Sequence, residues 1–93
     1  MMENAEVVKT GICIYSGNVT YQVRIVKWHI LYGTGDYEDP PEIADDREIE
    51  CYYVWYENLI NKGVYNRGGG SFLSVAEAIF AVEQTGSVEW RSA

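Results

Sequence analysis

Histidine occurs once in this chain, cysteine twice and proline twice, and 7 lysines and arginines stand against 14 acids. Each scarcity removes a class of function. A structural zinc ion takes about four nitrogen or sulfur ligands, and His29, Cys13 and Cys51 do not supply them at these spacings. A Ser/His/Asp or Cys/His site needs a nucleophile beside an oriented base. His29 stands alone between Trp28 and Ile30 in an alternating run, which reads as an exposed strand histidine. No stretch approaches the ~18–20 uncharged apolar residues of a membrane span. The N-terminal residues carry no basic and apolar leader pattern, so no export signal is expected. The two cysteines fall in separate apolar strands and form no C-x-x-C pair. They read as buried, reduced thiols of a cytoplasmic protein. Scarce bases also argue against direct nucleic-acid binding, which rests on neutralising phosphates. The expectation is a non-enzyme with no metal, no cofactor and no catalytic residue.

What is abundant is acid, and it is concentrated. Asp36, Glu38, Asp39, Glu42, Asp45, Asp46, Glu48 and Glu50 share their segment with a single base, Arg47. Acids and bases elsewhere cancel, so this segment carries the whole net charge of −7. Charge of this kind speaks to partners and solubility rather than to fold. Aromatics are also plentiful, with 8 Tyr and 3 Trp in 93 residues. That composition belongs to one folded domain with a single small core.

The pattern of elements is mostly β. Residues 6–15 alternate as a strand, with Val8, Thr10, Ile12 and Ile14 on one face and Lys9, Gly11, Cys13 and Tyr15 on the other. Ser16-Gly17-Asn18 is a hairpin-length turn. Residues 19–32 form a longer strand whose apolar phase switches after Ile25 to Val26, Trp28 and Ile30, as a bulge or bend produces. Pro40-Pro41 exclude ladder pairing in the acidic segment. Residues 49–57 are β-branched and aromatic throughout, the strongest strand pattern in the chain. Residues 58–70 read as turn-rich, with a short strand near Val64-Tyr65 and the Gly68-Gly69-Gly70 run as a linker that reverses the chain. Ser74-Val75-Ala76-Glu77 is a capping box opening a helix over 75–85. Val75, Ala78, Ile79 and Val82 form its apolar stripe, widened by Ala76 and Phe80, and Gly86 stops it. Residues 87–90 return as a short last strand.

Two segments are candidates for binding. The acidic one is a candidate partner-binding surface, through Asp36, Tyr37, Glu38, Asp39, Glu42, Asp45, Asp46 and Glu48. Such a field raises encounter rates with a basic partner and orients it. The spacing does not follow the D-x-[DN]-x-[DN]-G calcium loop, and the bland alternative is a solvated loop. Arg67 with Gly68, Gly69 and Gly70 is the second candidate, an anion site near the helix N-terminus, although the run matches no phosphate-binding motif. Tyr52, Tyr53, Trp55 and Tyr56 populate both faces of one strand, which makes core packing, a protein interface or a homodimer their natural uses.

The aromatic strand, the glycine run and the Phe72-Leu73-Ser74-Val75-x-Glu77-Ala78-Ile79 helix start resemble small bacterial and phage modules built as a β-meander plus a helix. The resemblance covers the second half, is one of fold, and implies no functional residue. The expected fold is α+β: an antiparallel β-meander of about four strands with one α-helix packed on one face, in the order β-β-β-(β)-α-β. A single domain over 1–93 carries a mobile acidic loop at about 34–48. The expected function is a small protein-interaction module, adapter or inhibitor, docking on a basic partner surface. The alternatives are a nucleic-acid mimic and, in another class, a binder of small anionic ligands at a helix–sheet pocket near Arg67.

Overall fold

The computed structural model describes residues 5–15, 19–33, 35, 37–61 and 63–92. It is an α+β fold: strands β1 (Glu6–Tyr15), β2 (Val19–Leu31), β3 (Arg47–Glu57), β4 (Tyr65–Phe72) and β5 (Val88–Ser92), with a short helix α1 (Pro41–Ala44) and a longer one, α2 (Val75–Glu83). The strands form one antiparallel sheet in the order β4-β3-β2-β1-β5. The first four make a meander. The segment after α2 then crosses to the far edge and pairs with β1. The short strand expected near Val64-Tyr65 is β4, and it is longer than expected because the Gly68–Gly70 run belongs to it instead of to a linker.

The meander buries one face under α2. Val23 and Ile25 of β2, Val54 of β3 and Cys13 of β1 meet Ala78 and Val82 of the helix, all at 3% exposure or less. Tyr52, Tyr56, Phe72 and Trp90 close the margins of this core. Aromatic margins suit a small core, since each ring contributes a large buried area. Gly11 is where Trp90 lies against the sheet: a Cβ there would meet the indole at 2.9 Å. In β1 the face shared by Gly11 and Cys13 is the covered one, while Ile14 on the other is 47% exposed.

Bulges set the strand phases. Val8 is an extra residue in β1, between the pairs Val7 with Val26 and Lys9 with Ile25. The phase switch in β2 therefore coincides with a bulge, but the neighbouring strand carries it. Val26 and Trp28 face away from α2, so β2 is apolar first on the covered side and then on the open side. Gly69 and Gly70 together oppose the single Val54 in β4, and Gly70 takes φ +103°. Three glycines here supply the bulge conformation and a close approach. At Gly69 a Cβ would lie 2.6 Å from the Tyr56 ring and 2.7 Å from Val54 Cγ1.

Helix α2 begins as its capping residues require, with Glu77 N–H donating to Ser74 Oγ at 3.1 Å. The Glu77 carboxylate accepts from the Ser74 hydroxyl at 3.2 Å, in place of the reciprocal backbone contact of the full box. The helix ends at Glu83, two residues before the sequence reading. Thr85 donates to Val82 O through its hydroxyl at 2.7 Å and its amide at 3.0 Å, which closes the last turn. Ala76 and Phe80 do not widen the buried stripe: both are exposed, Phe80 at 64%.

Gly69→Ala tests the close approach directly. Forcing a methyl against Val54 and Tyr56 is expected to lower stability by about 1–3 kcal/mol, measured by urea denaturation, whereas Gly63→Ala, with open space around it, is strained only through its backbone.

Candidate functional site

The acidic segment is the β2–β3 connection, and its chain folds back on itself. Gly33 N–H donates to Asp46 Oδ1 at 2.8 Å, and Gly35 N–H donates to Ala44 O at 3.0 Å. These two bonds tie its outgoing limb to its returning limb. Pro41 opens α1, where a missing N–H costs nothing, and Ile43 and Ala44 N–H both donate to Pro40 O at 2.9 Å. The limbs meet so closely at Gly33 that a Cβ there would collide with the Ala44 backbone. Part of the segment is thus regular: α1 occupies 41–44, and β3 starts at Arg47 rather than Ile49, which places Glu48 on the strand.

The predicted partner-binding residues are distributed as follows. Tyr37 is 92% exposed at the tip. Glu38, Asp45, Asp46 and Glu48 are exposed, and Asp39 is half-buried. Asp36 and the side chain of Glu42 lie outside the described residues. By strand alternation Glu48 and Glu50 extend the helix-side row of Tyr52 and Val54. Glu50 pairs with Lys27 at 2.9 Å. That hydrogen bond and charge hold the Glu50 carboxyl below the ordinary carboxylate value and raise the Lys27 ammonium. Ile43, 53% exposed, adds an apolar contact among the acids.

The second candidate is placed differently from its sequence reading. Arg67 turns onto the helix-side face, its guanidinium 4.9 Å from the Tyr21 ring and 5.8 Å from the Tyr56 ring, and it donates to Glu57 O at 2.9 Å. The Tyr56 hydroxyl in turn hydrogen-bonds Thr85, just past the end of α2. Arg67 therefore stands by the C-terminal end of the helix, where a cation complements the helix dipole. The structure separates Arg67 from the α2 N-terminus, and Gly68, Gly69 and Gly70 form edge strand instead of a loop leading to it. Glu57, 5% exposed, accepts Gln22 N–H at 3.1 Å and Gly63 N–H at 2.7 Å, so this buried carboxylate organises the β3–β4 connection.

Sequence reasoning missed a groove on the open face. Tyr32, Tyr53, Val54, Trp55, Gly68, Gly70 and Ser71 line a space of 470 Å³ beside the edge strand β4. Two features create it. Gly68 and Gly70 present no side chains, and Trp55 lies over Gly68, 3.5 Å from where its Cβ would be. Tyr53 is fixed by donating to Ile30 O at 3.1 Å and accepting Tyr32 N–H at 2.9 Å. Tyr32 precedes Gly33, whose amide holds Asp46, so the groove and the acidic connection meet at this point. The available signal was an aromatic strand followed by a glycine-rich one, which only the register converts into a groove. A smaller space of 270 Å³ borders the Lys27–Glu50 pair, with Glu6, Trp28 and the exposed His29.

The thiols and phenols of the sheet titrate against burial. Cys13 is on the helix side and Cys51 on the open side, both as free buried thiols, and desolvation raises each above the ordinary value of 9.0. Burial likewise raises Tyr53 and Tyr56 above 10.0. A raised value means the folded state holds these protons more tightly than the unfolded chain. Stability is then fully present below the unfolded values and falls as pH rises through the folded ones. Urea denaturation at pH 7, 9 and 10.5 is expected to show the midpoint falling above pH 9; a midpoint that holds constant or rises contradicts the assignment.

Among the described residues no helix is long and apolar enough to cross a membrane. Family models, curated proteins and solved structures give no match to this chain.

Proposed function

We propose that the protein is a small, non-catalytic interaction module that docks on a basic surface of a protein partner. The observation that supports this reading best is the placement of charge. The β2–β3 connection holds the chain's excess acid at one end of the sheet, tied back at Gly33 and Gly35, beside an aromatic groove. Exposed Tyr37 and Ile43 add the aromatic and apolar contacts that interfaces use. An acidic field of this kind steers a cationic partner and fixes its orientation, and its effect weakens within a Debye length of about 8–10 Å at ordinary salt. The cytoplasm is the proposed compartment.

Two other readings remain proposals of lower rank. In a nucleic-acid mimic, the carboxylates would stand in for phosphates on a DNA- or RNA-binding protein. In an anionic-ligand protein, Arg67 would carry the charge, but its rings and backbone acceptor already engage it.

The test combines Asp45→Asn, Asp46→Asn and Glu48→Gln. Asparagine at 46 keeps the acceptor for Gly33 N–H. Basic proteins captured from nuclease-treated lysate should be retained by wild type at low salt, released at high salt, and lost to the variant by at least about tenfold in affinity. Equal retention by both proteins removes the docking reading. Displacement of the captured protein by added duplex DNA would select the mimic.

A further inference from the structure

The open-face groove has a shape and setting that define an occupant. Its walls are the rings of Tyr32, Tyr53 and Trp55, and its edge is the side-chain-free backbone of Gly68 and Gly70. Asp46, held by Gly33 next to Tyr32, lies near enough for its charge to act on the Tyr53 phenol. The same face already shows what these rings accept. Arg24, the register partner of Trp55, lays its guanidinium 3.8 Å from the Tyr65 ring centroid. On the other face Arg67 does the same with Tyr21. Among the described residues, no lysine or arginine of this chain lies over Tyr32, Tyr53 or Trp55. Tyr32 and Tyr53 meet each other with centroids 6.2 Å apart, and none of the three rings carries a cation of the described residues.

Charge decides between occupants. A second copy of this chain would bring another net charge of −7 against the first, and the acidic connection beside the groove would oppose it. A cationic side chain is attracted both by the ring faces and by the neighbouring carboxylates. Between the two common cations, arginine fits better. Its planar guanidinium stacks on aromatic faces, is weakly hydrated and can hydrogen-bond a carboxylate while stacked, whereas ammonium is a strongly hydrated point charge. The position of the groove beside β4, an edge strand, gives a partner's extended segment a route to it.

We propose that this groove takes an arginine side chain of the basic partner, stacked against Trp55 and Tyr53 with its charge towards Asp46. The proposal rests on the docking reading and deepens it: the acidic connection attracts the partner, and the groove selects arginine over lysine.

The test uses the whole protein and three fluorescein-labelled peptides of alternating glycine with arginine, lysine or citrulline. Binding is followed by fluorescence anisotropy. The arginine peptide is expected to bind several-fold more tightly than the lysine peptide and more than about tenfold more tightly than the citrulline peptide. Trp55→Ala removes one wall, and Ser71→Phe fills the groove with no change in charge. Each should lower arginine-peptide affinity by about three- to thirtyfold and erase the preference over lysine. Circular dichroism and urea denaturation report whether either variant is folded, and Trp55→Phe, which keeps a ring, should retain most of the preference. Equal binding of arginine and lysine peptides overturns the groove, as does wild-type affinity in Ser71→Phe. If either result comes with loss of binding in the neutralised acidic variant, the docking reading stands without the groove. If no cationic peptide binds, both fall. Sedimentation showing a dimer that Ser71→Phe dissociates would assign the groove to a second copy and overturn the proposal.

Discussion

One nine-residue helix has to cover a five-stranded sheet, and it can cover only one side. At 1.5 Å per residue α2 is roughly 14 Å long, while the molecule extends 43 Å along its longest axis. The helix seals the centre of one face through Ala78 and Val82, against Ile25 and Val54. Among the described residues, no helix lies over the opposite face or the far end of the β2–β3 pair. The aromatic groove, the Lys27–Glu50 pair and the acidic connection all lie in that uncovered territory.

The uncovered face holds together by other means. Val26 reaches 7% exposure and Cys51 0% on this face, where their register partners are Tyr53 and Trp28. The Tyr53 hydroxyl bridges two backbone groups at the end of β2, so the ring that walls the groove also fixes the strand leading into the acidic connection. A surface of partly exposed aromatic rings on rigid strands suits recognition, since little side-chain entropy is lost when a partner covers it.

The end of the sheet away from the acidic connection shows the converse economy. Arg67 and Glu57, both charged, are drawn into packing roles: one stacks on two tyrosines, and the other takes the amides of Gln22 and Gly63. The glycine bulge in β4 adds twist to that edge of the sheet.

Local chemistry determined much of this protein from sequence alone. Period-2 alternation and aromatic density marked β1, β2 and β3, the Ser74–Glu77 capping box marked the start of α2, and the clustering of eight acids between Asp36 and Glu50 marked the charged end. These signals are legible because each depends on neighbours a few residues apart. What the tertiary structure decided depends on partners far away in the chain. Gly68–Gly70 signal a linker by composition, yet they form a bulged strand in which Val54 and Tyr56 leave room only for backbone at Gly69 and Gly70 takes a positive φ. Arg67 reads as a free cation beside a helix N-terminus, yet strand register carries it to Tyr21 and Tyr56 at the other end of that helix. The groove exists only where Tyr32, Trp55 and the β4 glycines, from three separate strands' surroundings, are brought side by side. Composition sets which residues can bury, stack or repel; register and the single-sided helix set which of them meet.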